Sequence, residues 1–172
     1  MPTSDEDLPK LVHSAGLGDE AAFSVLFTRY YERLRAFAWR MVFDSQAAED
    51  IVQETFIRVA RQIHTLRDGR TFDGWLFRIA ANLSRDHLRC RISHEKKIAA
   101  AAKESLSSTD KSHDRVEIAL QSLPPSQRAA VALVFYEGCN HAEAARRLGC
   151  AEATVSWRIM LAKRSLKKIL KP

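Results

Sequence analysis

The 172-residue sequence predicts an all-α protein, with two small helical domains joined by a flexible linker and a helix-turn-helix in the C-terminal one. Three observations carry this. Apolar residues recur at three- and four-residue steps in every long segment, and no stretch alternates as a half-buried strand does. Only six Gly and five Pro interrupt the chain, so long elements are expected. Between residues 96 and 114, KKIAAAAKESLSSTDKSHD, the larger apolar residues thin to Ile98 and Leu106, which is linker composition. Its Ala run favours helix at the start. Domains 1–95 and 115–172 lie on either side. A hydrophobic content of 46% supports a packed core and argues against wholesale disorder.

Residues ahead of Asp19 are expected to form a short helix or a loose arm. Asp19, after Gly18, suits the N-cap of a helix running to about Val42. Ala22, Phe23, Leu26, Phe27, Tyr30, Leu34, Phe37, Ala38 and Met41 give that helix a broad core face. A second helix is expected after Ser45, its cap, with Ala48, Ile51, Val52, Phe56, Val59, Ala60 and Ile63 inward. Its outer face is acidic, because Asp44, Glu49, Asp50 and Glu54 all precede the first base, Arg58. Acids in a first turn complement the helix dipole. Glu54 lies beyond that reach, and the surface Asp50, Gln53, Glu54 suits docking to a basic partner.

After Leu66 the stretch RDGRTFDG reads as a loop, and a third helix follows from Asp73, as cap, to about Ser93. Trp75, Leu76, Ile79, Ala80, Leu83, His87 and Cys90 are expected on its buried side, with His87 a core histidine. Arg78, Asn82, Arg85 and Arg89 form one stripe at steps of four, three and four. Arginines with an Asn suit phosphate and base-edge contacts; a solvated face has the same pattern.

In the second domain, Val116, Ala119, Leu120 and Leu123 predict a short helix stopped by Pro124. Pro125 and Ser126 start another, whose apolar run Ala129–Tyr136 ends at Gly138. Asn140 and Glu143 match a capping box. Ala145 and Leu148 line the short helix that follows, and Gly149 sits where a helix-turn-helix bends. The last helix runs from about Ala151 to Leu170. Val155, Ile159, Ala162, Leu166 and Ile169 share one face; Ala153, Trp157, Met160 and Arg164 share the other, with Ser156 and Lys163 at its edges. An exposed helix of this mixture beside a short first helix is the layout that enters a DNA major groove. An ordinary helical hairpin has the same outline.

Charge agrees with the first alternative. Residues 115–172 hold ten Lys/Arg against four Asp/Glu, which equals the whole net charge of +6, while residues 1–95 hold thirteen against fourteen. Phosphate neutralisation needs such a segment. Apolar runs are too short to span a bilayer, and the acidic N-terminus MPTSDEDLPK lacks the features of a signal peptide, so a cytoplasmic location without membrane insertion is expected. Cys90, Cys139 and Cys150 are odd in number and widely spaced, against a disulfide framework. Cys139, His141 and Cys150 cluster, but a fourth metal ligand is missing; structural use, with no metal and no cofactor, is expected. No glycine-rich phosphate loop, paired helix histidines or hydrolase serine elbow is present, so an enzyme is not expected.

Three stretches, AEDIVQETFIRVAR (48–61), FDGWLFRIAANLSRDHLR (72–89) and LPPSQRAAVALVFYEGCNHAEAARRLGCAEATVSWRI (123–159), together resemble an extracytoplasmic-function (group IV) sigma factor of bacterial RNA polymerase. The resemblance covers about residues 15–170 in the family's order and spacing. It implies the family's region 2 in the first domain and region 4 in the second. It also implies binding to core polymerase through the β′ clamp and β flap, recognition of promoter DNA both duplex and melted, and control by an anti-sigma factor. Asp50, Ile51, Gln53, Glu54, Phe56 and Arg58 would then bind the polymerase. Arg70, Trp75, Arg78, Asn82, Arg85 and Arg89 would read and melt the −10 element. Glu152, Ala153, Thr154, Ser156, Trp157, Arg158, Met160 and Arg164 would read the −35 element. Thr154, Val155 and Arg158 keep the family's recognition-helix pattern. Ser156, Trp157, Met160 and Leu161 depart from it, replacing a Lys, a Ser, a ring and a base.

Overall fold

The computed structural model describes residues 7–101 and 115–170, with side chains of 95–101 left aside. Eight α-helices make up the described chain: α1 (Leu8–Gly16), α2 (Glu20–Val42), α3 (Ser45–Gln62), α4 (Phe72–Ala101), α5 (Arg115–Gln121), α6 (Pro125–Val131), α7 (His141–Leu148) and α8 (Glu152–Leu170). Short 3-10 turns, Ile63–Thr65 and Gly69–Thr71, bridge α3 and α4. Among the described residues there is no strand, and no helix is long and apolar enough to cross a membrane.

Helices α1–α4 form the first unit. Asp19 caps α2 by accepting from the amides of Ala21 and Ala22. Leu26, Tyr30, Leu34, Phe37, Ala38 and Met41 of α2 are buried, as their spacing requires. The larger of these side chains contribute roughly 1.5–3 kcal/mol each by leaving water. Phe43 ends α2 in the left-handed conformation at φ 53°. The cap of α3 is Asp44, not Ser45: its carboxylate accepts from the amide of Ala47, and Ser45 is already helical. Ala60 also departs from expectation, being exposed.

Helix α4 starts one residue before Asp73 and runs on to Ala101, past the expected end near Ser93. Residues 96–101 of the linker therefore continue a helix, and 102–114 lie outside the described residues. The buried face of α4 is rotated from the expected one. Leu76, Phe77, Ala80, Ala81, Ser84 and Leu88 are buried, Trp75, Ile79, Leu83 and His87 are half-buried, and Cys90 is exposed. The reason is that α4 is covered on two sides, by α2 and α3 on one and by α7 on the other.

Helices α5–α8 form the second unit. Helix α6 widens into a π-helical turn, Ala132–Tyr136, which leaves Phe135 and Tyr136 exposed despite their place in the apolar run. Asn140 and Glu143 make the complete capping box, and Gly149 takes φ 65° between α7 and α8. Val155, Ile159 and Ala162 are buried on the inner face of α8; Ile169, about two turns further, is 42% exposed because α8 outruns its support.

The two units pack on one another. A single guanidinium joins their backbones: Arg128 of α6, 7% exposed, donates to the carbonyls of Leu120, Gln121 and Leu123 at the end of α5 and to that of Met41 near the end of α2. Unpaired carbonyls at a helix C-terminus are natural acceptors for such a cation. Burial, and then Arg91, bring its pKa down to about 10, so it is charged at neutral pH.

Candidate nucleic-acid and protein interfaces

Three surfaces carry the residues singled out by sequence. On α3, Asp50 and Gln53 are exposed, and Glu54 is half-exposed in an ion pair with Arg58 at 2.8 Å. Gln46 donates to Asp50. Glu49 faces inward instead, accepting from the Tyr31 hydroxyl at 2.6 Å, which raises the pKa of that phenol. Ile51 and Phe56 do not belong to this surface. Both are 5% exposed in the core, where the Phe56 ring meets Phe23 and Phe27. Phe56 sits on the far side of the helix from Asp50 and Glu54, and Ile51 on the buried flank beside them. Ile57, 45% exposed, lies on the outside and was not anticipated.

On α4 the stripe is present and its members are held. Arg85 donates to Oδ1 of Asn82 and to the Ala81 carbonyl. Asn82 is exposed. Arg89 pairs with Asp86 at 3.5 Å. Trp75 is half-buried with its ring against Phe72. Arg78 and Arg70 line a cleft of about 480 Å³ together with Trp75, Gly74, Glu143 and Arg146. That cleft lies between α4 and the first helix of the helix-turn-helix. Arg78 donates to the Arg146 carbonyl at 3.3 Å, and its side chain lies against Gly149 so closely that a Cβ there would sit 2.9 Å from Nε. The structure thus folds part of the α4 stripe against α7.

An ion network holds the units in that arrangement. Arg147 of α7 donates to Asp73 at 2.6 Å and lies 4.0 Å from Glu137, with its guanidinium over the Phe77 ring at 4.3 Å. Arg33 of α2 reaches the same two acids, at 3.7 Å and 3.2 Å. Asp73, expected as a helix cap, is therefore an interdomain ligand. Tyr30 lies beneath; burial, and then Asp73, push its pKa up to about 12 and keep it neutral. Sequence reasoning singled out none of Arg33, Arg128, Glu137 and Arg147. The contacts by which they join the two units, to Met41, Asp73 and each other, lie 74 to 104 residues apart in the chain, so no local pattern marks them.

On α8, Glu152, Ala153, Trp157, Met160 and Arg164 are exposed, and Trp157 and Met160 each stand 57% in solvent. Thr154, Ser156 and Arg158 are half-buried. Arg158 turns back toward the bend, with Nη1 3.6 Å from the Cys150 sulfur. Ser156 is bonded to His141 of α7 at 2.8 Å. Cys139 is buried, and burial pushes its thiol pKa up, away from the reactive thiolate. Among the described residues no group of three or more His, Cys, Asp or Glu could hold a metal ion.

Taken together, the fold and these surfaces define an all-α protein with a helix-turn-helix and a second, arginine-bearing helical surface. Comparison with known proteins makes the class specific. Residues 26–92 match the Sigma-70 region 2 model, and residues 113–166 match Sigma-70, region 4. RNA polymerase sigma-H factor of Pseudomonas aeruginosa is 31% identical, with 100% of this chain and 97% of that protein covered. The ECF RNA polymerase sigma factor SigE of Mycolicibacterium smegmatis is 33% identical, over 97% of this chain and 69% of the relative. Among solved structures, CnrH in complex with the cytosolic domain of CnrY has a TM-score of 0.75 at 28% identity, covering 95% and 96% of the two chains. The sigma factor RpoE of Bartonella quintana, in complex with the anti-sigma factor NepR, has a TM-score of 0.68 at 26% identity, covering 86% and 96%. The chain belongs to the extracytoplasmic-function RNA polymerase sigma factors of the sigma-70 family.

Proposed function

We propose that this chain is a group IV member of that family and acts in the cytoplasm as a promoter-specificity subunit. Its units correspond to residues 1–95 and 115–172, with 96–114 as the connection. In this reading the chain contributes no catalytic residue; the chemistry is the polymerase's. The acidic surface of α3 docks on the β′ clamp, and the second unit engages the β flap. Asn82 and the neighbouring arginines capture the melted −10 element, where unstacked bases need a polar edge to read and a basic track for the backbone. The exposed face of α8 reads the −35 element in the major groove. An anti-sigma factor is the expected regulator, in keeping with the partner in the RpoE complex. The observation that carries this reading is the presence on one chain of the Asn82 stripe, within the region 2 match, and the helix-turn-helix, within the region 4 match.

In this reading Arg78, which lies against Gly149 and Arg146, is freed for the −10 element when the units separate on the polymerase. Co-purification with core polymerase, followed by in vitro transcription from a genomic promoter library, tests the proposal. Tight binding to promoter duplex without any association with core enzyme would overturn it. Two substitutions divide the surfaces. Glu54→Lys reverses an exposed charge and confronts Arg58 with a like charge; core affinity should fall about tenfold. An unchanged affinity removes this face from the docking surface. Asn82→Ala should leave core binding intact and lower open-complex formation about tenfold, as loss of a base contact does. Normal strand opening by that variant takes Asn82 out of the reader.

A further inference from the structure

The hydrogen bond between His141 and Ser156 joins the two helices of the helix-turn-helix at a position the family pattern gives to a lysine. His141 is the first residue of α7 and follows Asn140, whose capping box with Glu143 fixes the backbone there. Its Nδ1 lies 2.8 Å from the Ser156 Oγ. Ser156 sits on α8 between Val155, which is buried, and Trp157, which is 57% exposed, so it stands at the edge of the face offered to DNA. A serine hydroxyl has one proton and two lone pairs. A free one serves as donor or acceptor, and so discriminates poorly between base edges.

We infer that His141 is a positioning residue for sequence reading: it accepts the Ser156 proton and leaves that hydroxyl an acceptor toward the major groove. This rests on the reading of α8 as the −35 helix. In a neutral imidazole one nitrogen donates and the other accepts. In the tautomer with the N–H on Nε2, Nδ1 accepts from the Ser156 hydroxyl. With its proton committed to Nδ1, Oγ meets a base edge with lone pairs only. It then selects the exocyclic amines, N6 of adenine or N4 of cytosine, over the acceptor edges of guanine and thymine. The bulky exposed neighbours Trp157 and Met160 cannot supply this polar discrimination.

The test uses holoenzyme assembled on core polymerase and duplexes carrying every single-base change in the −35 element. The native protein should favour adenine or cytosine at one position by roughly tenfold, the scale of one good base contact. His141→Ala should reduce that preference to about twofold, and Ser156→Ala should abolish it. Adding His141→Ala to Ser156→Ala should change the preference no further. His141→Asn, which puts a carbonyl oxygen near the Nδ1 position, should restore it. Equal loss of affinity for all sequences in His141→Ala, or an unaltered preference, would mean a purely structural stitch and overturn the inference. So would additive effects in the double variant, or failure of Asn to rescue. Binding by the native holoenzyme that ignores every −35 change would instead refute the assignment of α8 as the reader. Thermal unfolding of each variant identifies any that fails to fold, and the Asn variant then carries the comparison.

Discussion

Arg128→Met should lower folding stability by about 3 kcal/mol, read as a drop in the urea midpoint at unchanged slope. Methionine approximates the volume and removes the cost of burying a charge, which favours the variant. Against this, the carbonyls of Leu120, Gln121, Leu123 and Met41 lose their common donor inside the protein. Each buried acceptor left unpaired costs roughly 1–3 kcal/mol, and some will recover water at the ends of α5 and α2. The guanidinium also lies 5.4 Å from the Phe43 ring centroid, a contact methionine replaces only partly. Arg128→Lys keeps the charge but cannot reach all four oxygens with one ammonium, so it should fall between. A loss below 1 kcal/mol for the Met variant would show that the carbonyls are satisfied without Arg128.

That residue also marks where reading the sequence stops. The helices, the caps Asp19 and Asn140 and the helix-turn-helix were legible because their signals are local. Asn140 and Glu143 are three apart, Val155, Ile159 and Ala162 repeat along one face, and Gly149 stands at the bend. Small misreadings were local too. Asp44 and Ser45 are both good caps, and only the backbone angles decide between them. Ile51 and Phe56 were expected on the inner face of α3 as well as at the polymerase, and the periodicity that predicted their core positions holds in the structure. The contact between units had no such signal. Asp73 meets Arg147 across 74 residues, Arg33 meets Glu137 across 104, and Arg128 meets Met41 across 87. Composition foresees charged residues on surfaces, not which of them will face each other. The polar bond from His141 to Ser156 spans only 15 residues, but depends on the angle of the turn and so was equally hidden.

Arg147→Met should open the closed arrangement of the two units. In the native protein the Arg147 side chain is 11% exposed and Glu137 9%, so this pair is largely out of water. Removing one partner of a buried pair costs roughly 3–5 kcal/mol when the other charge is stranded. Here the loss should be smaller, about 2 kcal/mol, because Arg33 still pairs with both Asp73 and Glu137 and the native Arg147 leaves Nη1 without a hydrogen bond. The cost falls on the contact between units, since Arg147 faces Phe77 of α4 as well as the acids. Energy transfer between dyes placed on α3 and α8 should therefore report a longer mean separation, with helix content unchanged. Arg33→Met alone should do less, because its side chain is 41% exposed and its contact to Asp73, at 3.7 Å, is longer than the 2.6 Å of Arg147. The double variant should exceed the sum of the two, since either arginine can neutralise the acids and neither remains. The measurement separates two roles for the network. Loss of global stability without any change in separation would make Arg147 part of one common core. A longer separation with each unit still folded makes it a latch between the two units.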